Sequence, residues 1–232
     1  GANQITSGAR RNGPPMLRGH EHVSDEASKT GKPQDGGGAA PQGLPPGLAT
    51  LLASAGPAAG ARPVEKWNPP HCGTIDMRIA ADGTWHYQGS PIGRPALVKL
   101  FASILRRDPD GYVLVTPVEK VGITVEDVPF LAVEMAVSEE AGQRVIGFRT
   151  NVDDVVQAGP EHPMRFETDA KGGLKPYVHI RGGLWARLTR ALAHDLAELV
   201  ETRQDASGAE VMGIASAGAF FPIPSEDGAG RA

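Results

Sequence analysis

The chain has 232 residues, a formal net charge of −4 and 40% apolar residues, enough for one or two small domains with an aliphatic core. Residues 67–232 carry sixteen Lys and Arg against twenty-two Asp and Glu, and this acidic balance excludes general nucleic-acid binding. The sequence shows no apolar run near the roughly 18 residues of a membrane span and no secretory leader pattern. The lone Cys72 cannot form an internal disulfide, so a cytoplasmic protein is predicted.

Residues 1–66 are predicted to form a disordered tail. They contain 12 Gly, 8 Pro and no aromatic residue, which leaves too little apolar surface to offset the entropy lost on ordering. Within the tail, a short helix is predicted at 47–55, because apolar residues recur at the spacing of one helix face at Leu48, Leu51, Leu52 and Ala55. So short a helix is marginal by itself, and it is either transient or a docking motif for a protein partner.

Ordered structure is predicted to begin at Trp67, with a first half at 67–127. The elements predicted for it are strands at 74–80, 84–88, 112–116 and 123–125 and a helix at 95–107. Pro95 suits the first position of that helix.

A second half is predicted at 128–203, followed by an extension at 204–232 that packs on the core through Phe220 and Phe221. Its predicted elements are strands at 130–137, 144–150, 164–168 and 174–180 and a closing helix at 183–202. The inner face of this helix is assigned to Leu184, Leu188, Leu192, Leu196 and Leu199.

The two halves show a faint internal repeat. A strand ending at Ile92 is followed by Gly93-Arg94 and a helix, and a strand ending at Ile180 is followed by Arg181-Gly182-Gly183 and a helix. The predicted fold is therefore α+β, with two related halves that each contain a small antiparallel sheet and one helix.

Several longer motifs are distinctive. They are Trp67-Asn-Pro-Pro-His-Cys-Gly73, Asp82-Gly-Thr-Trp85-His-Tyr87, Val113-Leu-Val-Thr-Pro-Val-Glu-Lys120, Gly159-Pro-Glu-His-Pro163, Tyr177-Val-His-Ile-Arg-Gly-Gly183 and Gly218-Ala-Phe-Phe-Pro222. Together they resemble the bacterial family called domain of unknown function 1285, over nearly all of the chain after residue 66. The resemblance implies a duplicated α+β architecture whose second half is loosely similar to pleckstrin-homology folds.

Sequence signatures of common enzymes are missing. The chain has no Walker A loop, no dinucleotide glycine motif after a strand and no Gly-x-Ser-x-Gly elbow. His71 and Cys72 are adjacent and poorly placed to chelate one ion, so no metal site is predicted. An enzyme of unknown reaction would use His162, Glu119 or Asp153 as its acid or base.

A cationic constellation is the stronger candidate for a site. Arg94 directly precedes one predicted helix and Arg181 lies two residues before the other, where free N–H groups favour anions. Gly93, Gly182 and Gly183 allow a ligand to approach the backbone closely. Two further cations are assigned to the site, Arg78 and Lys120, and Trp85 or Tyr87 offers a stacking surface.

The alternative is that these arginines form structural ion pairs, for example with Asp76 or Glu119. Because no catalytic set is recognisable, the predicted function is non-catalytic binding of a small anionic or nucleotide-like ligand at the seam between the halves. This would suit a sensing or signalling role. The alternatives are the enzyme described above and a protein-interaction adaptor that uses the segment 48–55 or exposed strand edges.

Overall fold

The computed structural model of the protein describes residues 46–56 and 62–224. Its helices are α1 (Pro46–Ser54), α2 (Pro95–Ser103) and α3 (Arg190–Ala197), with one turn of 3₁₀ helix at Val64–Lys66. The first half contains β1 (His71–Ile79), β2 (Trp85–Tyr87), β3 (Ser90–Pro91), β4 (Leu105–Asp108), β5 (Gly111–Val115) and β6 (Lys120–Val125). The second half contains β7 (Phe130–Glu140), β8 (Gln143–Thr150), β9 (Val155–Gln157), β10 (Met164–Thr168), β11 (Leu174–Arg181) and β12 (Leu184–Leu188). The remaining strands are β13 (Glu201–Gln204), β14 (Glu210–Ser216) and β15 (Ala219–Pro222).

The two halves share one sheet topology. In the first sheet the strand order is β3-β2-β1-β6-β5-β4, and β1 runs parallel to β6. In the second the order is β10-β11-β12-β7-β8-β9, and β12 runs parallel to β7. Each half thus consists of two antiparallel three-stranded meanders, and its first and last strands meet at the centre of the sheet. This confirms an α+β fold with two related halves, although the parallel central pair makes each sheet mixed and not antiparallel as predicted.

The helices do not occupy equivalent places in the two halves. α2 lies between β3 and β4, whereas the equivalent connection in the second half, 158–163, is fully described and contains no helix. Arg181 ends β11, so the prediction that it precedes a helix was wrong. It pairs with Leu184 across a two-residue loop, Gly182-Gly183, and the glycines therefore serve a tight hairpin turn.

Both helices predicted for the two halves are shorter in the structure than in the prediction. The helix predicted at 95–107 ends at Ser103, because Leu105–Asp108 pairs with Gly111–Val115 as the hairpin β4–β5. The helix predicted at 183–202 is replaced by β12, α3 and β13. Leu184 and Leu188 fit a helix and a strand equally well. They are four residues apart, as on one face of a helix, and with buried Ala186 between them they also occupy every second position of a strand.

The hydrophobic core runs through both halves. Trp85 is 1% exposed and stacks on Phe101 of α2, with ring centroids 6.2 Å apart. Phe130 and Phe148 of the second sheet belong to the same buried cluster. Trp85 is therefore a core residue, and the prediction that it offers a stacking surface to a ligand was wrong; Tyr87 is half-buried beside the same core.

Helix α1 is also part of this core. Its face is no more than 7% exposed at each of its four apolar positions, Leu48, Leu51, Leu52 and Ala55. The prediction that this helix is a transient element or a docking motif set apart from the core was wrong, because the protein's own apolar residues cover that face. Residues 62–66 of the predicted tail also belong to the described structure, whereas residues 1–45 and 57–61 lie outside the described residues.

The last three strands form a separate small sheet in the order β13-β14-β15. The Ser216 hydroxyl joins it to the second half, accepting from the Ile146 N–H at 2.9 Å and donating to the Ala158 carbonyl at 2.7 Å. Phe221 is buried in the core, whereas Phe220 is half-buried beneath the Arg203 guanidinium. Residues 225–232 of the predicted extension lie outside the described residues.

Candidate functional site

A cavity of about 380 Å³ opens where the two halves meet, and we call it the seam cavity. On one side of β7 in the sequence, its lining consists of Arg62, Val64 and Glu65, from the segment that precedes the first half, and Lys99, Ala102 and Ser103 of α2. Its lining from the second half consists of Val152, Asp154, Arg181 and Gly182. Three cationic and two acidic side chains therefore face one space, which is large enough for a small polar molecule.

Arg181 connects the two halves at this cavity. Its guanidinium donates to the Ala102 carbonyl, in the last turn of α2, at 2.7 Å and to the Leu105 carbonyl, just beyond that helix, at 3.4 Å. It also lies over the Phe130 ring, 5.6 Å from its centroid. Burial lowers the pKa of this arginine, and the nearby Asp154 carboxylate opposes that shift. Arg181 is thus a structural cation that still lines the cavity with about a third of its side chain exposed.

Asp154 lies opposite Arg181. Its Oδ2 atom is 3.8 Å from the Arg181 Nε, close enough for charge attraction and too far for a hydrogen bond. Neither carboxylate oxygen accepts a hydrogen bond from any residue that the structure describes, and Oδ2 is itself buried. Burial raises the pKa of Asp154, Arg181 counteracts that effect, and Asp153 adds to it. The carboxylate therefore keeps its capacity to accept hydrogen bonds from a ligand.

Arg62 closes another side of the cavity. It donates to the carbonyls of Ala55 and Gly56, at the C-terminal end of α1, where backbone acceptors are left without helical partners. Burial lowers the pKa of Arg62, and its buried Nε atom has no hydrogen-bond partner among the described residues. The same side chain thus fixes α1 and lines the seam cavity.

Lys99 is more exposed than Arg181. It projects from α2 and forms an ion pair with Asp153, which also pairs with Arg149 at 2.9 Å. Both members of the Lys99–Asp153 pair are about half exposed, so the pair is weak and a ligand can compete for it.

Of the residues predicted to bind a ligand, Arg181 and Gly182 line the seam cavity. Arg94 is the exposed residue that caps the N-terminus of α2, with Gly93 beside it, whereas Arg181 contacts the opposite end of that helix. A helix of this length spans about 13 Å at about 1.5 Å per residue, so the prediction that two helix starts form one cleft was wrong.

The other two predicted cations form ion pairs. Arg78 pairs with Glu126, which also accepts from the Ala81 N–H. Lys120 pairs with Asp108 at 2.7 Å. Both residues therefore have ion-pair partners within the first half, and neither lines the seam cavity.

The residues assigned to an enzyme have separate environments. The His162 Nδ1 lies 3.1 Å from the His179 carbonyl, and Asp153 belongs to the ion pairs described above. Glu119 lies in the turn between β5 and β6, where its backbone carbonyl accepts from Thr116. Within residues 46–56 and 62–224 no group of His, Cys, Asp and Glu is arranged to hold a metal ion.

Sequence reasoning missed four of the polar residues that line the cavity: Arg62, Glu65, Lys99 and Asp154. Arg62 and Glu65 were assigned to the tail, and neither Lys99 nor Asp154 was assigned to the site. The only sequence signal for them was the Arg62-Pro-Val-Glu65 segment, which is less rich in glycine than the chain before it.

Comparison with family models matches the chain in two adjoining parts. Residues 62–128 match the N-terminal domain of DUF1285, a domain of unknown function, and residues 129–223 match the C-terminal domain of DUF1285 proteins of unknown function. The chain therefore belongs to the DUF1285 family, as its motifs indicated.

Solved structures of the same family are similar. A DUF1285 family protein from Silicibacter pomeroyi DSS-3 is 48% identical, with a TM-score of 0.69 over 76% of this chain and 96% of that chain. One from Shewanella baltica OS155 is 30% identical, with a TM-score of 0.42 over 53% of this chain and 90% of that chain. Comparison with curated proteins gives no match. In the part of the chain that the structure describes, no helix is long and apolar enough to cross a membrane.

Proposed function

We propose that the protein is a non-catalytic binding protein of the cytoplasm, which takes a small anionic or nucleotide-like ligand in the seam cavity and serves a sensing or signalling role. The observation that carries this proposal is the convergence of Arg62, Lys99 and Arg181, from both halves, on one cavity. Guanidinium and ammonium groups are the usual protein partners of phosphate and carboxylate.

The position of the cavity supports a sensing role. Arg181 belongs to the second half and bonds to α2 of the first, while Arg62 bonds to α1. A ligand that contacts these side chains would add to the link between the halves and α1. Such a ligand stabilises the docked arrangement of the two halves and α1 because it binds that arrangement more tightly than the undocked one. The size of the stabilisation equals the difference between the two binding free energies.

Thermal unfolding with added ligands tests the proposal. The probes are pyrophosphate, AMP and citrate, which present phosphate or carboxylate groups of different size. A ligand at 100 times its dissociation constant adds about 2.7 kcal/mol to the free energy of unfolding. We expect at least one probe to raise the melting temperature saturably.

A matched pair of lysine variants locates the site. Lys99→Met removes a cation from the cavity, while Lys171→Met removes one from the exposed turn between β10 and β11. Affinity, measured by titration calorimetry, is expected to fall about fivefold or more in the first variant and to stay unchanged in the second, because a charged contact contributes about 1 kcal/mol or more. Binding by none of the probes, or equal binding by both variants, contradicts the proposal.

A further inference from the structure

The two carboxylates of the seam cavity, Asp154 and Glu65, narrow the chemical class of the ligand beyond what the three cations indicate. Asp154 keeps about a third of its side chain exposed, and its carboxylate accepts no hydrogen bond from the described residues. The exposed carboxylate of Glu65 also lines the cavity and has no hydrogen bond or ion pair to a described residue. Carboxylates in proteins normally accept several hydrogen bonds, so these two side chains retain unused acceptor capacity.

The cations nearby do not use up this capacity. The guanidinium of Arg181 is directed at the carbonyls of Ala102 and Leu105, and its Nε is too far from Asp154 to donate a hydrogen bond. The guanidinium of Arg62 is directed at the end of α1. Burial raises the pKa of Asp154 even with Arg181 opposite, which is consistent with a carboxylate whose charge is only partly compensated.

From this mixed lining we infer that the ligand is a small zwitterion, whose anionic group contacts Arg62 and Lys99 and whose protonated amine contacts Asp154 and Glu65. A purely anionic molecule would meet two carboxylates there, and a purely cationic one would meet three cations. A molecule with both charges a few bonds apart satisfies both sets of side chains. The inference rests on the proposed function and specifies its ligand as an amino acid or a phosphorylated amine.

Two matched pairs of probes test for the amine. Phosphoethanolamine is compared with ethyl phosphate, and 4-aminobutyrate with butyrate, so each pair keeps one anionic group and differs in the amine. Titration calorimetry on the whole chain is expected to give at least tenfold tighter binding for the amine-bearing member of at least one pair, which corresponds to about 1.4 kcal/mol.

Substitution of the carboxylates shows which residue recognises the amine. Asp154→Asn is expected to abolish the tenfold preference without weakening the binding of ethyl phosphate or butyrate, because the substitution removes a negative charge that repels an anion. Glu65→Gln, at an exposed position, reduces the preference in the same direction and serves if the Asp154 variant does not fold. Asp110→Asn, in the exposed turn between β4 and β5, is the control and leaves the preference unchanged.

The outcomes separate this inference from the proposed function. If the members of each pair bind equally, or if the preference survives both Asp154→Asn and Glu65→Gln, the inference is wrong and anion binding stands. If pyrophosphate, AMP or citrate binds and the amine-bearing probes do not, the inference is again wrong by itself. If none of the seven probes binds, both are wrong.

Discussion

The carboxylate of Asp108 accepts hydrogen bonds from two cationic side chains. Its Oδ1 lies 2.6 Å from the Arg106 Nε, and its Oδ2 lies 2.7 Å from the Lys120 Nζ. Arg106 is largely buried and also donates to the carbonyls of Val64 and Trp67. The charged cluster of Asp108, Arg106 and Lys120 thus connects the segment from Val64 to Trp67 with the first sheet. Lys120, which was predicted to bind a ligand, is part of this cluster.

Asp108→Asn is expected to reduce the free energy of unfolding by about 2 kcal/mol at pH 7. The hydrogen bond from Arg106 is the main cause that lowers the pKa of Asp108 to about 2, well below the usual range of an aspartate carboxyl. Because the folded-state pKa is depressed, the stabilisation is complete above the unfolded-state pKa and is lost as the pH falls through about 4 toward 2. Urea denaturation of both proteins at pH 7, 4 and 2.5 measures the difference.

The exposed Asp110→Asn variant is the control for this series and is expected to change stability by less than about 0.5 kcal/mol. A loss for Asp108→Asn that stays constant from pH 7 to pH 2.5 would show that the lost interaction is steric and not ionic.

Residue roles in the cavity could be predicted from the sequence only in part. The residue types were informative, because Arg181 beside Gly182 indicated a cation next to backbone that a ligand can approach closely. The partners were not, because Arg181 bonds to the carbonyls of Ala102 and Leu105, which only the docking of the two sheets brings near. The pKa of Asp154 is raised by burial, and no local sequence pattern encodes that burial.

At the scale of elements, α1 shows how tertiary packing overrides composition. Its nine residues include a proline and a glycine and are flanked by further glycine and proline residues, so it is too short and interrupted to be stable alone. Its leucines are nevertheless buried, and Arg62 bonds to the carbonyls at its C-terminal end. The helix therefore depends on the body of the protein for its stability.

Leu51→Ala is expected to lower the free energy of unfolding by about 2–5 kcal/mol, the usual range for a buried leucine. Leu51 is 3% exposed and Leu192 of α3 is 9% exposed, so the loss at Leu51 is expected to be at least as large as that of Leu192→Ala. Thr50→Ala, on the exposed face of α1, is the control and is expected to cost less than about 1 kcal/mol.

Chemical denaturation of these three variants decides whether α1 belongs to the folded core. A loss at Leu51 no greater than that at Thr50 would mean that α1 does not pack on the core in solution.

Strands were easier to predict than helix ends. The alternation at 130–137 and the turn that follows it indicated β7 and β8, and the pairing is observed. The leucines at 184 and 188 misled, because a spacing of four fits a helix turn and also two steps of a strand. The choice between them depends on β12 pairing with β7, a contact between distant parts of the chain.

For the whole molecule, a partly buried polar cluster joins the halves beside the common core. Arg187 of β12 donates to the Ala81 carbonyl at 2.6 Å and to Asp127 at 3.1 Å, and the Tyr177 hydroxyl donates to the same carboxylate at 3.1 Å. Asp127 lies in the connection between the two sheets. Since apolar residues of both halves also form one buried cluster, the halves are expected to unfold together.

A Trp185→Phe variant tests this cooperativity. It removes the tryptophan of the second half and leaves Trp67 and Trp85, so its fluorescence reports the first half alone. Far-UV circular dichroism reports the strands of both sheets. We expect the two urea transitions to coincide, as two-state unfolding requires. A fluorescence midpoint separated from the dichroism midpoint would show that the halves unfold independently.

The parallel pair at the centre of each sheet has a consequence for how the chain folds. His71 pairs with Lys120 in the first sheet and Phe130 with Ala186 in the second, so each sheet is closed by contacts between residues about fifty positions apart. Such high contact order slows folding, because the entropy of closing a long loop is lost before any stabilising contact forms. During synthesis the antiparallel meanders can form as they emerge, but neither sheet can be completed until its last strand, β6 or β12, has left the ribosome.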